Sequence, residues 1–269
     1  MKTNKLCLGA GLLSLLAVPL TSVADDHDED DNEIPFAEAH VFFELNNTDG
    51  DLGIHALIDG DPWKRLQIED QNERKILNVN VRSRLRRQGL TEIFFESAEP
   101  TFDELPPPVF FARFPEGTYE IEGITLDGLE MESETEITHA MPAPPNPTVN
   151  GKPVALQCDD EEPGYDAPAV SGDVVIAWDP VTRTHPTLGD PQDAPGISIY
   201  NYEVVVEAEI EVNGEEFASV LSVILPPDVT MMTIPEEFLA QSDVFKYEIL
   251  AREESWNQTA IESCFELED

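Results

Sequence analysis

Two stretches of the chain alternate apolar and acidic residues at a period of two around a turn dipeptide. Residues 119–139 read YEIEGITLDGLEMESETEITH, and residues 201–225 read NYEVVVEAEIEVNGEEFASVLSVIL. A period of two sends alternate side chains to opposite faces of a strand, so each stretch predicts a β-hairpin with one packed face and one wet, carboxylate-rich face. The dipeptides Asp127-Gly128 and Asn213-Gly214 suit a type I′ turn, whose central residues both need positive φ. Further strands are expected over residues 39–45, 52–58, 76–86, 91–97 and 109–114. The best helical candidate is one short turn, PEEFLAQ at 235–241. The pattern predicts an all-β protein: two immunoglobulin-like antiparallel β-sandwiches in tandem.

The ends and the middle of the chain read differently. Residues 1–24 have the form of a secretory signal: Lys2 and Lys5, an apolar stretch over 6–20, and Ser22-Val23-Ala24 as a small-x-small cleavage site. That stretch is too short to span a bilayer comfortably, so no membrane insertion is expected. The protein is expected to be exported, to the periplasm or beyond the cell. Residues 25–33 form an acidic tail expected to be disordered. An N-terminal sandwich is expected over 34–141. Residues 142–153, with five prolines, read as a semi-rigid linker. A second domain covers 148–269. Cys158 and Cys264 remain after the signal, and in an exported protein they are expected to pair.

Charge narrows the partners. The formal net charge is −40. Residues 25–33 carry seven acids and no Lys or Arg, 34–141 carry 22 acids against nine bases, and 142–269 carry 26 against four. Such a field repels nucleic acid and anionic membrane and attracts cations or basic partners. The bases are not evenly spread: eight of them lie between Lys64 and Arg87. If 76–86 is a strand, Arg82, Arg84 and Arg86 line its outer face, with Arg87 beside them. This basic strip offers a site for an acidic polysaccharide, or for the chain's own second domain or tail. It also serves as a charged edge that blocks strand addition.

Residues 168–267 resemble a fibronectin type III module. PAVSGDVVIAWDPV carries Trp178 where that family's second strand places its core tryptophan, and ISIYNYEVVVE supplies a third strand with Tyr200, Tyr202 and Val204 on one face. TMMTIPEEFL is similar to the family's fifth strand and following turn. Phe245, Tyr247, Ile249 and Ala251 then alternate as its late strand does, with Phe245 where a corner tyrosine is usual. In the first half, FPEGTYEI resembles a Pro-x-Gly-x-Tyr phrase of immunoglobulin-like modules. The resemblance implies a spacer or binding surface rather than a catalyst.

Two constellations carry possible chemistry. Asp49, Asp51, Asp59 and Asp61 sit in Asp-Gly-Asp turns around His55, and such turns offer hard oxygen ligands for calcium. If 52–58 is a strand, however, Asp51 and Asp59 lie about 26 Å apart and cannot share one ion. Glu92, Glu96, Glu99, Asp103 and Glu104 could supply a carboxylate pair for glycoside hydrolysis, yet Glu92 and Glu96 are about 13 Å apart on a strand, too far for either catalytic spacing. The sequence shows no GxSxG, HExxH or phosphate-binding glycine loop. The expected function is therefore that of an exported, acidic binding or structural protein, not an enzyme, with a protein or polysaccharide partner. Its alternatives are a calcium-dependent adhesion or matrix protein and a polysaccharide-active hydrolase.

Overall fold

The computed structural model describes residues 33–159, 162–188 and 196–268. The expected signal segment, and the expected acidic tail apart from Glu33, lie outside these. The first half contains β1 (Glu38–Asn46), β2 (Asp51–Glu69), β3 (Lys75–Asn80), α1 (Leu85–Gln88), β4 (Leu90–Glu96), α2 (Pro107–Phe111), β5 (Gly117–Thr125) and β6 (Glu130–Ile137). The second contains β7 (Pro147–Val149), β8 (Lys152–Pro153), β9 (Ala169–Val170), β10 (Val175–Trp178), β11 (Ile199–Val212), β12 (Glu215–Leu225), β13 (Met231–Thr233), α3 (Glu236–Leu239), β14 (Val244–Glu253) and β15 (Gln258–Leu267). The fold is all-β, its strands mostly antiparallel, and its helices are single turns.

The long alternating stretches form the hairpins β5–β6 and β11–β12. Asn213 (φ 57°) and Gly214 (φ 82°) are both left-handed, as a type I′ turn requires. At the other tip only Gly128 is left-handed, and the loop spans 126–129 with Leu129 N–H bonded to Thr125 Oγ1. Asp127-Gly128 therefore forms a different turn from the one expected.

β2 is far longer than its sequence pattern suggests. Its first part lies between β1 and β4, with Phe42 opposite His55 and His55 opposite Glu96. Its second part lies between β3 and β5, with Leu66 opposite Val79 and Gly123. The register breaks between Asp59 and Trp63, across Gly60-Asp61-Pro62, so one strand turns a corner and serves two layers. Trp63, Leu66 and Ile68 are fully buried beyond the break and join Phe43, Leu45, Tyr119 and Ile121 in the first core.

Two further expectations are corrected. Residues 109–114 were expected as a strand, but Pro107–Phe111 is a helical turn. Prolines at 106–108 preset φ and sit at the helix start, where the missing N–H costs nothing; Phe110 and Phe111 then pack edge-on against Phe43. The strand expected over 76–86 stops at Asn80. Ser83 takes a left-handed φ of 57°, and the chain turns into α1.

The second half packs two sheets face to face, β13-β10-β7-β8 against β12-β11-β14-β15. Trp178, Tyr202, Val204, Phe245, Tyr247 and Ile249 fill the space between. A register shift between Ile199 and Asn201 turns Tyr200 outward, so it does not share a face with Tyr202. Tyr202 Oη accepts a hydrogen bond from Val181 N–H at 2.8 Å. In the first half, the Pro-x-Gly-x-Tyr phrase closes on itself: the buried Tyr119 hydroxyl donates to the Pro115 carbonyl at 3.0 Å, the geometry of a tyrosine corner. Burial and the charge of Asp70 push the Tyr119 hydroxyl up to about 12.

The two halves have separate cores but share a sheet. β1 pairs in parallel with β15 (Glu44 to Gln258, Leu45 to Thr259, Asn46 to Ala260), which makes one sheet running β12-β11-β14-β15-β1-β2-β5-β6. The proline-rich stretch carries the chain from one core to the other and is itself packed. Met141 is buried in the first core, Thr259 Oγ1 donates to the Pro142 carbonyl, and Pro147–Val149 pairs with β10. Asn257 closes the seam from within: its Oδ1 accepts from Phe43 N–H at 2.8 Å, and its Nδ2 donates to the carbonyls of Thr138 and Ala140.

Candidate functional site: a charged seam and an arginine turn

Strand register puts one row of polar side chains on the outer face of the shared sheet. Glu203 on β11, Arg252 on β14, Gln258 on β15, Glu44 on β1 and His55 on β2 follow one another across it, and Glu99 closes the row from the loop after β4. The contacts are continuous. Arg252 reaches Glu203 at 3.5 Å and donates to Gln258 Oε1 at 2.7 Å. Gln258 Nε2 donates to Glu44 Oε2. Glu44 lies 3.6 Å from His55 Nδ1, and His55 Nε2 donates to Glu99 Oε1 at 2.9 Å. Glu99 can lie over β2 because residue 53 is glycine; a Cβ there would stand 2.5 Å from Glu99 Oε1.

Trp256, at the turn between β14 and β15, braces one end of this row. It stacks on His40 of β1 with ring centroids 3.5 Å apart, and the Arg252 guanidinium lies 5.2 Å from its ring centroid. It does so from a left-handed backbone, φ 74°, a conformation that costs a bulky residue energy and persists where surrounding contacts hold it.

His55 is 3 % exposed. Burial alone lowers its pKa, but the bond to Glu99 and the charges of Glu44, Glu99 and Glu96 outweigh burial and raise it. Glu44 is raised chiefly by burial, against the pull of His55 and Gln258. Glu248, next in the row of carboxylates, is raised well above the usual range by burial and by its acidic neighbours.

Glu44, His55 and Glu99 are the His, Cys, Asp and Glu group with metal-ligand spacing among the described residues. The two carboxylates address opposite nitrogens of one ring, however. The ligand atoms of the three residues lie within 4.8 Å of one another, and the contacts present are those of an imidazolium held between two carboxylates. Phe42 and Phe94 lie against the ring, and Glu44 links it to Gln258 of the second half.

The sequence-level candidates land elsewhere. Asp49 lies in the β1–β2 turn, Asp51 opens β2, and Asp59 and Asp61 lie eight and ten residues further along the same strand. The structure does not bring the four together. Cys158 and Cys264 form the expected disulfide, with Cα atoms 5.7 Å apart and a sequence separation of 106. Glu92 and Glu96 share a face of β4, opposite Asp59 and His55 in turn, and no catalytic pairing forms between them. Arg82, Arg84, Arg86 and Arg87 do not line a strand face. They occupy a turn and the single helical turn α1, where every residue from 82 to 88 is exposed. Among the described residues none of the four forms an ion pair, whereas Lys75, Lys152, Lys246 and Arg252 each meet a carboxylate.

Sequence reasoning missed the seam. His55 and Glu44 are neighbours only through strand pairing, and Glu99 arrives through a loop. Gly53, two residues before His55, was the one local sign that something lies close over β2.

No family model matches the chain, and no curated protein matches it. Among solved structures it is similar to a chain described as a biofilm associated protein, BSP domain, at a TM-score of 0.24 and 14 % identity over 87 % of this chain and 30 % of that one. It is also similar to a chain from a study of host cell surface retention of a 1.5-MDa bacterial ice-binding adhesin, at a TM-score of 0.21 and 10 % identity over 88 % and 66 %. The chain spans less than two thirds of either neighbour, and at these TM-scores the likeness carries no functional argument.

Proposed function

We propose that the protein is an exported, non-enzymatic binding protein, and that the arginine turn at 82–87 is its contact surface for an anionic polymer such as an acidic polysaccharide. The observation that carries this is the unpaired state of Arg82, Arg84, Arg86 and Arg87 within a chain of 55 acids. Arg65, Arg74, Arg113 and Arg183 also form no ion pair among the described residues, but they are scattered, whereas residues 82–87 group four guanidinium groups. Four held together on one tight turn, and satisfied by none of the described carboxylates, leave their forked donors free for carboxylate or sulfate groups on another molecule. At physiological salt the Debye length is about 8 Å, so the turn meets a polyanion locally while the distant carboxylates are screened. The Cys158–Cys264 bridge supports an oxidising compartment. The two facing sheets of the second half, four strands in each, support reading it as a fibronectin type III-like support module.

The test replaces all four arginines by serine and compares binding to polygalacturonate and to neutral dextran, at low and high NaCl. The native protein is expected to bind the polyuronate, weaken with salt and ignore dextran, while the variant loses binding and keeps its melting temperature. A native protein that does not bind the polyuronate, or a variant that binds it equally well, overturns the reading.

A further inference from the structure

The shared sheet ends in β6 on one side and β12 on the other, and the two edges are built on opposite plans. β6 carries Glu130, Glu132, Glu134 and Glu136 at every second position, and Ile34 bridges its outer backbone. That edge is guarded against strand addition by charge and by cover. β12 pairs only with β11, and its outer backbone has no strand beside it among the described residues. From Phe217 to Leu225 it reads FASVLSVIL, nine residues without an acid or a base in a chain with a net charge of −40. Apolar side chains stand exposed on both faces: Phe217 is 57 % exposed on the inner face, where Leu221 and Leu225 pack on the core, and Val220 (41 %) and Ile224 (52 %) are exposed on the outer, on either side of Ser222, which donates to Glu203.

We infer that β12 is the interface through which two copies of this chain join, antiparallel, into one continuous sheet. Self-pairing centred on Leu221 sets Phe217 opposite Leu225, Ala218 opposite Ile224, Ser219 opposite Val223 and Val220 opposite Ser222. Residues directly opposite share a face, so inner meets inner and outer meets outer. Phe217 overhangs its own core, while Leu225 packs at the rim of that core. The dimer therefore sets each exposed phenylalanine beside the other copy's core.

The same register answers the charge problem. Glu215 and Glu216 fall opposite Pro227 and Pro226, so no acid faces an acid across the new pair. The nearest carboxylate rows, Glu203, Glu207 and Glu209 on each β11, are then separated by three strand spacings, about 14 Å. That exceeds the Debye length of about 8 Å at physiological salt. A strand from a foreign protein would find no charge between Phe217 and Leu225 to recognise, whereas this segment complements itself residue by residue.

The experiment is sedimentation equilibrium of the mature protein over a range of concentrations and NaCl, with Val220→Glu and Val220→Thr beside the native chain. The native protein is expected to form a dimer that strengthens as salt screens repulsion between copies. Val220→Glu, which gives β12 a guarded edge like that of β6, is expected to weaken the dimer by roughly tenfold or more, about 1.4 kcal/mol or more, while keeping the native circular dichroism spectrum. Val220→Thr, which keeps a β-branched uncharged residue, is expected to retain it. A native protein that stays monomeric at all salts, as when the edge awaits a foreign strand, overturns the inference. So does growth beyond the dimer into open aggregates, or a dimer indifferent to Val220→Glu.

Discussion

Replacing Asn257 by alanine should cost about 3 kcal/mol, although the residue touches no ligand and sits in a turn. Its side chain is 1 % exposed and makes hydrogen bonds to three backbone groups of the first half: Phe43 N–H, the Thr138 carbonyl and the Ala140 carbonyl. Phe43 is fully buried, so its N–H would lose its partner with no access to water, at about 1–3 kcal/mol. The two carbonyls belong to half-buried residues and can rehydrate, so each loses only the net worth of a hydrogen bond, about 0.5–1.5 kcal/mol. The three losses share one side chain and do not add fully, which sets the expectation near 3 kcal/mol rather than at the sum of the upper limits. Against a typical total of about 5–15 kcal/mol this is a large fraction. Urea denaturation of the mature protein, followed by fluorescence and by circular dichroism, measures it. Hydrogen exchange of β1 and β15 shows whether the loss falls on the seam. A shift under about 1 kcal/mol, or exchange that rises in β15 while β1 is untouched, would refute the claim that Asn257 ties the two halves together.

Other consequences follow from the same contacts. The raised pKa of His55 means that its imidazolium contributes stability fully present below pH 6.5 and lost as pH rises through the higher folded value; well above pH 6.5, where His40 and His185 (both lowered, by burial) are neutral folded or unfolded, the melting temperature should fall with pH, and His55→Gln should reduce that slope, while the raised carboxyl of Glu248 adds a slope of the same sign. Gly53→Ala should push Glu99 off His55 and lower the imidazole pKa, read by NMR titration; an unchanged titration would dismiss the contact. Loss of the disulfide in Cys158→Ser with Cys264→Ser should destabilise by up to about 4.7 kcal/mol, the chain-entropy value for a loop of about 100 residues, measured by thermal melting of native and variant chains. Because Asp51 and Asp59 are about 26 Å apart along β2, millimolar Ca²⁺ should move the melting temperature no further than Mg²⁺ at equal ionic strength; a Ca²⁺-specific rise would restore the aspartates as a site.

What was legible in the sequence was the part decided by local rules. Alternation marked β5–β6 and β11–β12, and Asn213-Gly214 announced its turn, because side-chain direction and φ are settled within a few residues. The expectation for 109–114 failed for an equally local reason: aromatic residues suggested a strand, but the preceding prolines start a helix. The arginine turn shows the next level. Four arginines near one another were visible, yet a strand face was inferred from a period of two that Ser83 breaks with a single left-handed residue. The seam lay beyond any local rule. Glu203, Arg252, Gln258, Glu44, His55 and Glu99 span nearly the whole described chain and meet only because β1 pairs with β15 in parallel. Parallel pairing leaves no turn signature between its strands, unlike a hairpin. Edge strands fall between these cases. The absence of charge from 217–225 could be read directly, but its meaning depended on knowing that β12, not β6, was left uncovered. A run of nine uncharged residues in the middle of a sheet is ordinary burial; at an open edge of so acidic a protein it is a surface made to be covered.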